Sequence, residues 1–282
     1  MNVYWVFENI RGDNSFYNEL DTLLLLSSAT LWKRHHNSHT TNLSADKLTL
    51  EYLDSINGLS VFDKVELLPK NKFVDKNVFW ASSKLEKLRY VKGPTIIMDH
   101  DFLAYKSFDK YLKDTLFFAH EEDGTGYYDT SWNPFIKEIE NIVRRPKPHA
   151  INCCFCYYPD SKFANHYAKT SLQLMHKFTE LKVPNSRFLI FAEQLLLKHL
   201  IDHHNLKYGT LLNEKWHAKD KYYVPNDKGY MSFIDSNTVY RHYWMDKPLI
   251  RDSKEGFDYT QETTILKNIL SKTQVILNDI KP

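Results

Sequence analysis

The aspartates Asp99 and Asp101 are the residues whose type and spacing best suit a chemical role in this sequence. They follow the β-branched, apolar run at 95–98 (TIIM), which is typical of a buried strand. In extended backbone, side chains two residues apart leave the same face, so the pattern predicts adjacent carboxylates at a strand end. Such oxygen ligands suit Mg²⁺ or Mn²⁺ bound together with phosphate oxygens. The alternative is an Asp-rich turn with no further role.

The first part of the chain alternates short apolar runs with helical patterns. Strands are predicted at 3–7, 61–68 and 95–98, and helices at 16–31 (capped by Asn14 or Ser15), 45–56 and 80–91, with a polar stretch at 40–42. This alternation indicates an α/β fold with parallel strands. Ligands of such sheets bind beyond the carboxyl ends of the strands, which is where the two aspartates are expected.

The second part of the chain has a less regular pattern. Strands are predicted at 115–120 and 150–158. Helices are predicted at 134–143, at 164–181, and over a stretch that 188–191 leads into and that ends at His203. Strands and loops are predicted from Lys207 up to a last helix at 262–278. Neither a glycine- or proline-rich linker nor an internal repeat interrupts the sequence. We therefore expect a single large domain over residues 1–282.

Composition excludes several classes of protein. With 43% hydrophobic and 15% aromatic residues, the chain has the material for a packed core. Lys plus Arg number 37 against 35 Asp plus Glu, a near balance that argues against a dedicated nucleic-acid-binding protein. Apolar runs such as 23–26 are far shorter than the roughly 20 residues of a membrane helix. No secretory signal pattern is visible, so the predicted compartment is the cytoplasm.

The three cysteines lie within four positions, at Cys153, Cys154 and Cys156. Neighbours this close cannot form a disulfide framework, and no second Cys or Cys/His cluster completes a zinc site. They are predicted to be reduced, buried residues of a strand. Strand alternation would send Cys154 and Cys156 to one face and Cys153 to the other.

Residues 96–103 (IIMDHDFL) resemble the strand-plus-DxD segment of GT-A glycosyltransferases, particularly the glycogenin and galactosyltransferase group. Four other stretches are similar to family segments: the basic helix at 84–90, the Asn-led strand at 151–155 (INCCF), the acidic-Gln helix start at 191–196 (FAEQLL) and the His…Lys-Pro segment at 242–248. The resemblance implies a GT-A type, Rossmann-like mixed sheet flanked by helices. It also implies a nucleotide-sugar-binding half, 1–110, and an acceptor-binding half, 111–282.

The resemblance also assigns roles to individual residues. The metal ligands would be Asp99, Asp101 and His242, and the catalytic residues Asp99, Asp101, Glu193 and Gln194. The donor-binding residues would be Phe7, Asn9, Thr41, Lys84, Arg89, His100, Asn152 and Lys247. Mn²⁺ or Mg²⁺ and a nucleotide sugar, most simply a UDP-sugar, are the implied cofactor and donor. A retaining mechanism follows, while the acceptor stays open among a glycan, a lipid-linked sugar, a protein and a modified DNA base.

These residue types fit the chemistry of glycosyl transfer. A nucleotide-sugar donor loses a diphosphate, and a metal held by two carboxylates would neutralise the charge that develops on it. Lys247, Lys84 or Arg89 would add positive charge. Glu193 would orient the acceptor hydroxyl or support an oxocarbenium-like centre.

Each residue also has a purely structural interpretation. Phe7 and His100 would be packing residues, Thr41 a cap or turn residue, and Glu193 an acid favoured by the dipole at a helix start. His242 would lie on the surface of an aromatic-rich strand. The groups His35, His36, His39 and His199, His203 have spacings compatible with a metal, but a solvated surface is the simpler interpretation.

Two other functions compete with glycosyl transfer. A haloacid-dehalogenase-like phosphohydrolase also opens with a hydrophobic strand and Asp-x-Asp, the first Asp being its nucleophile. Against it, Leu103 replaces the Thr or Val of that family, no later paired-aspartate motif follows, and its motif normally opens the fold. A non-catalytic carbohydrate-binding protein is compatible with the many Tyr and Trp residues.

Overall fold

A computed structural model describes residues 1–9, 18–69, 73–123, 137, 141, 149–183, 187–211, 216–217, 239–244, 246–253 and 258–280. The first elements are β1 (Asn2–Phe7), α1 (Glu19–His35), β2 (Thr40–Ala45), α2 (Lys47–Ser55), a 3₁₀ turn (Gly58–Val61), β3 (Lys64–Leu67), α3 (Ser82–Leu88), β4 (Thr95–Met98) and β5 (Phe102–Ala104). Most of the predicted early elements are confirmed, and the polar stretch at 40–42 proves to begin a strand.

The later elements, in chain order, mix short strands with longer helices. They are β6 (Leu116–Phe118), β7 (Glu121–Asp123), β8 (His149–Ile151), β9 (Phe155–Tyr158), α4 (Ser161–Glu180), α5 (Arg187–Ile190), a π-helical turn (Phe191–Leu195), α6 (Leu196–His203), β10 (Tyr208–Thr210), β11 (Trp216–His217), β12 (Tyr240–His242), α7 (Asp246–Arg251), α8 (Tyr259–Leu270) and a 3₁₀ turn (Leu277–Asp279). Nearly all of the helix predicted at 134–143 falls outside the described residues. In the described ranges, no helix has both the length and the apolar character needed to cross a membrane.

Seven strands form a mixed sheet in the order β10-β6-β9-β4-β1-β2-β3. The strands β1, β2 and β3 are parallel, and their register places Phe7 opposite Ala45 and Ala45 opposite Leu67. The strands β6 and β9 are antiparallel. The predicted mixed sheet flanked by helices is therefore confirmed.

Two details of the predicted strands are wrong. The strand β4 ends at Met98 as predicted, but Asp99 and Asp101 lie in a turn in which Phe102 N donates to Asp99 O at 3.2 Å. The carboxylates are therefore not brought to one face by the side-chain alternation of an extended strand. The predicted strand at 150–158 is divided into β8 and β9 by a turn at Cys153 and Cys154. The predicted face alternation of the cysteines fails for the same reason, although all three are buried.

The chain divides into two compact units. Unit 1 comprises Met1–Leu68, Met98–Lys110 and Tyr222–Pro282. Within it, α1 starts at the N-cap Asn18, whose side chain accepts from Asp21 N, while the predicted caps Asn14 and Ser15 lie outside the described residues. The fully buried Trp5 donates through Nε1 to Ser28 Oγ at 2.9 Å, and Ser28 Oγ donates to Phe102 O at 2.6 Å. This chain of bonds fixes the start of β5, and so the turn before it, against α1.

Unit 2 comprises Pro69–Ile97 and Tyr111–Lys221, and in it α3 packs on α4. The residues 187–203 form one continuous helical stretch that widens into the π-helical turn. A π turn leaves carbonyl groups without their usual helical partners. Two buried residues of α4 supply partners, since Tyr167 OH donates to Glu193 O at 3.1 Å and Ser171 Oγ to Ala192 O at 2.5 Å.

Candidate active site

Unit 1 brings together the three predicted metal ligands, Asp99, Asp101 and His242, which we call the aspartate cluster. One ligand atom from each residue lies within 4.8 Å of the others. The pairing of β12 with β5 explains this, because it sets His242 opposite Phe102, next to the acidic turn. His242 Nε2 lies 3.5 Å from Asp101 Oδ1. His242 is 4% exposed, so its interpretation as a surface residue is wrong.

The aspartate cluster fits a divalent cation by its donor atoms. Two carboxylates and an imidazole form an acceptable ligand set for Mn²⁺, and the carboxylates suit Mg²⁺ as well. Around an octahedral ion with bonds near 2.1 Å, adjacent ligand atoms lie about 3.0 Å apart and opposite ones about 4.2 Å apart. The three ligand atoms lie within 4.8 Å of one another, so the side chains would draw closer together on binding one ion.

A second set of charges adjoins the aspartate cluster. Lys247, in the first turn of α7, places its Nζ 2.6 Å from Asp101 Oδ2 and 3.6 Å from Asp21 Oδ1. Arg251 lies one helical turn later and places Nη2 2.5 Å from Asp21 Oδ2. Two cations on one face of α7 therefore share Asp21, and one of them also neutralises Asp101.

These contacts set the protonation of the cluster. Burial alone would raise the pKa of Asp101, but Lys247, His100 and His242 hold it well below its ordinary value. Burial would likewise raise the pKa of Asp21, but His100, Lys247 and Arg251 lower it. Burial lowers the pKa of Lys247, and the two aspartates more than reverse this, so that it is raised. At neutral pH the carboxylates of Asp101 and Asp21 are ionised, and for Asp101 this is the state that metal ligation requires.

His100 and Phe7 connect the acidic turn with the carboxyl end of β1. The ring of His100 meets the ring of Phe7 edge-on, with centroids 5.1 Å apart. His100 Nε2 also lies 3.4 Å from Asp21 Oδ1 and 3.4 Å from Lys247 Nζ. Packing, the structural interpretation of both residues, is therefore observed, and their donor-binding roles stay predictions.

Asn9 and Thr41 lie at opposite ends of the parallel strands. Asn9 follows β1, and its backbone N donates to Oδ2 of Asp46, the residue after β2, at 2.6 Å. Thr41 lies near the amino end of β2, opposite Val3, and both its N and its Oγ1 donate to Asp63 Oδ2 at 2.8 Å. Ligands of parallel sheets bind at carboxyl ends, whereas Thr41 lies near the amino end of β2, and its donor contact stays a prediction. At the carboxyl end of the same strand, β2, the residue in a position to meet a ligand is Asp46.

Unit 2 contains a buried ion pair between Lys84 and Glu193. Lys84 Nζ lies 2.7 Å from Glu193 Oε1 and also donates to Cys153 O at 3.1 Å. The two side chains are only 13% and 7% exposed. Glu193 lies inside the π-helical turn, followed by Gln194, and not at a helix start as predicted. The dipole explanation for Glu193 is therefore wrong, and π turns are frequent at functional sites.

Asn152 is held in a buried polar network after β8. Its Nδ2 donates to Glu122 Oε1 at 2.6 Å, and its Oδ1 accepts from Cys154 N at 3.0 Å. His120 Nε2 lies 3.3 Å from the same Glu122 oxygen. These bonds fix the orientation of the Asn152 amide, while its predicted contact with the donor stays untested.

Arg89, the other predicted basic residue of α3, has a more ordinary environment. Its side chain is 40% exposed and Nη1 lies 3.3 Å from Glu86 Oε2. Its guanidinium lies over the ring of Tyr90, 5.3 Å from the centroid. Nothing in these contacts distinguishes Arg89 from a solvated helix residue.

Sequence reasoning missed Asp21, Arg251 and Glu122. The spacing of Arg251 four residues after Lys247 was a usable signal, since it places both on one helix face. Asp21 carried no such signal, because acids are common in the first turn of any helix.

A family model matches residues 26–248, the greater part of the chain, and is described as a family of unknown function, DUF6734. The chain belongs to the DUF6734 family. A search among curated proteins finds no match for it. The matched residues of this DUF6734 chain include the aspartate cluster, Lys247 and the Lys84–Glu193 pair.

Solved structures similar to this DUF6734 chain include three glycosyltransferases. The glycosyltransferase GlyE of Streptococcus pneumoniae TIGR4 is 13% identical, with a TM-score of 0.49, covering 100% of this chain and 65% of that one. An active-site mutant of LgtC is 11% identical, with a TM-score of 0.48 and 95% of each chain covered. Mouse xyloside xylosyltransferase 1 is 14% identical, with a TM-score of 0.45, covering 86% and 97%. At such distances, function has to be inferred from the residues of this chain.

Proposed function

We propose that this chain is a metal-dependent glycosyltransferase that moves a sugar from a nucleotide-sugar donor, most simply a UDP-sugar, to an acceptor. The observation that carries the proposal is the convergence of Asp99, Asp101, His242 and Lys247 in unit 1. A metal site with an adjacent cation is what a diphosphate leaving group requires. The sequence resemblance of residues 96–103 to the DxD segment supports the same class of reaction.

The aspartate cluster would hold Mn²⁺ or Mg²⁺, and the bound ion would act as a Lewis acid toward the diphosphate. Lys247 would bind a phosphate oxygen as a point charge, exchanging part of its contact with Asp101 and Asp21. Arg251, whose side chain is 42% exposed, would supply a second cation from the same helix face. Ionised Asp101 would keep the ion in place, as its lowered pKa favours.

In unit 2, the sequence resemblance gives the sugar and acceptor roles to Asn152, Glu193 and Gln194. Asn152 presents an amide whose orientation is fixed by Glu122 and Cys154 N. Glu193 would support an oxocarbenium-like centre or orient the acceptor, with its carboxylate held by Lys84. Gln194 follows in the same π-helical turn. A retaining outcome is the expectation from the resemblance, and the acceptor class is open.

The deciding experiment is a thermal-shift screen of nucleotide sugars against the whole chain, with Mn²⁺ or with chelator. A ligand that binds only the native state raises the melting temperature by mass action. Because the metal would bridge carboxylate and phosphate, we expect a shift from UDP or a UDP-sugar only when Mn²⁺ or Mg²⁺ is present. Asp101→Asn should abolish the shift, whereas the matched exposed-site variant Asp54→Asn should keep it.

The same screen, followed by turnover assays with the ligands that bind, separates the competing functions. Equal stabilisation by UDP in excess chelator would contradict the metal site. Release of phosphate from a phosphomonoester, without turnover of any nucleotide sugar, would indicate the phosphohydrolase. If a donor is turned over, the anomeric configuration of the product, followed by NMR, decides between retention and inversion.

A further inference from the structure

The guanidinium of Arg241 is completely buried in unit 1. Its Nε and Nη2 donate to Asp246 Oδ2 at 3.1 and 3.0 Å, and its Nη1 donates to both oxygens of Glu262 at 3.1 and 3.2 Å. The Tyr243 ring lies 3.9 Å from the guanidinium carbon, and its hydroxyl donates to Glu262 Oε2 at 3.2 Å. We call Arg241, Tyr243, Asp246 and Glu262 the Arg241 network.

Stability alone is a weak reason for such a network. Taking charges out of water is costly, and replacing a buried ion pair by apolar residues of similar volume is often neutral or stabilising. Such a network does fix the orientation of its side chains, because a guanidinium binds carboxylates in a planar, forked geometry. The carboxylate of Glu262 on α8 and that of Asp246 on α7 are thereby held at set positions around one residue of β12.

The network alternates along the chain with residues of the candidate site. Arg241 directly precedes His242, and Asp246 directly precedes Lys247. Backbone bonds continue the same frame, since Tyr243 N donates to Asp101 O at 3.0 Å and Lys247 N to Tyr243 O at 2.9 Å. Both ends of the segment that carries His242 and Lys247 are therefore tied to the buried guanidinium.

We infer that Arg241 is a positioning residue of the active site. It touches neither metal nor donor in this role; it holds His242 and Lys247 at the geometry in which both face Asp101. This inference rests on the proposed function, because it assigns the positioned side chains to a metal and a phosphate. Loss of a partner that orients a metal ligand lowers metal affinity by about 10- to 100-fold.

The test compares Mn²⁺ affinity with stability in the same variants. The triple variant Arg241→Met, Asp246→Asn, Glu262→Leu removes the buried charges together, leaving no single buried ion uncompensated. We expect its Mn²⁺ dissociation constant, measured by the EPR signal of unbound Mn²⁺, to rise about 10- to 100-fold even if its melting temperature matches the wild type. An unchanged dissociation constant in the folded variant would overturn the inference.

Two further variants keep the test decisive. Arg241→Lys retains the charge but loses the forked geometry of the guanidinium, so it should fold and bind Mn²⁺ several-fold more weakly than the wild type. If the triple variant does not fold, unchanged Mn²⁺ binding by Arg241→Lys refutes the positioning role.

Leu266→Ala, in the same helix as Glu262 and fully buried, should lower the melting temperature without changing Mn²⁺ affinity. If Leu266→Ala weakens Mn²⁺ binding equally, the effect follows stability and the inference fails. A wild type that binds neither Mn²⁺ nor UDP would instead refute the proposed function.

Discussion

The aspartate cluster of unit 1 and the Lys84–Glu193 pair of unit 2 use opposite electrostatic arrangements. In unit 1 the charges share partners: Lys247 contacts both Asp101 and Asp21, and Asp21 also contacts Arg251. In unit 2 one ammonium and one carboxylate meet at 2.7 Å; Glu193 is buried and Lys84 is mostly so. Shared partners allow one contact to be exchanged for a ligand without leaving a bare charge, whereas a buried pair opposes such exchange.

This difference fits the different tasks that the proposed function gives to the two sites. A site that binds and releases a metal and a diphosphate needs side chains that change partners at low free-energy cost. A carboxylate that orients a reacting group needs a fixed position, which a buried ion pair and the backbone bonds of the π-helical turn supply.

The largest effect is expected from Asp101→Ala in the aspartate cluster. Removing a ligand should reduce metal-dependent sugar transfer by more than about 100-fold, since loss of an outer contact alone weakens a metal site 10- to 100-fold. Circular dichroism should show an unchanged fold. Rates are measured with Mn²⁺ in excess, and near-normal turnover by Asp101→Ala would show that this carboxylate holds no metal.

Breaking the pair in unit 2 should mainly affect stability. Lys84→Met leaves Glu193 buried without its ammonium partner and should lower the free energy of unfolding by about 3–5 kcal/mol, as for other broken buried pairs. Urea unfolding at pH 7 provides the measurement.

The double variant Lys84→Met, Glu193→Leu is the matched control, because it removes both charges. It should recover most of the lost stability while abolishing sugar transfer. A single variant as stable as the wild type would mean that the pair is open to water, and the contrast between the two units would then disappear.

The sequence predicts the elements whose signals are local. The apolar run before Asp99 and the helical period of α4 both identify real elements, because a buried strand and an amphipathic helix impose short-range patterns. The proximity of Asp99 and Asp101 was also predictable, although their backbone forms a turn rather than an extended segment.

The features that local sequence patterns do not predict depend on long-range contacts. His242 was predicted as a ligand only through the resemblance; it reaches Asp101 through the antiparallel pairing of β12 with β5, and no local pattern specifies which distant strands pair. Residues 40–42 were predicted only as a polar stretch, whereas they begin β2, in which Thr41 is buried. Its side chain is buried by a bond to Asp63, which is 22 residues away in sequence.

A smaller effect is expected from Asp21→Asn, which removes the anion shared by Lys247 and Arg251. The pKa of Asp21 is lowered in the folded chain, so its carboxylate stabilises the fold above the ordinary carboxyl pKa and stops doing so in acid. The variant should therefore be less stable than the wild type by on the order of 1 kcal/mol at pH 7, and the difference should shrink as the pH falls through the acid range.

The two cations that Asp21→Asn releases should bind phosphate more readily. UDP affinity without metal, measured by calorimetry, is expected to rise a few-fold. Weaker UDP binding by the variant would indicate that Asp21 orients Lys247 and Arg251 toward the phosphates instead of competing for them.

The smallest effect concerns the thiols beside the Lys84–Glu193 pair. Burial, with Cys156 and Glu193 nearby, raises the pKa of the Cys153 thiol well above its ordinary value, so the reactive thiolate is scarce. All three cysteines are buried, and native protein at pH 8 should resist iodoacetamide until urea unfolds it. Lys84→Met removes a charge that lowers this pKa, but it also breaks the ion pair and the bond from Lys84 Nζ to Cys153 O, so local opening should increase alkylation of Cys153 in a peptide-resolved mass measurement. Asp21→Asn, in unit 1, should leave that rate unchanged, since it does not alter the pair. Rapid alkylation of Cys153 in the native wild type would mean that the surroundings of Glu193 are open to solvent, and Glu193 would then lack the fixed position that distinguishes it from the exchangeable charges around Lys247.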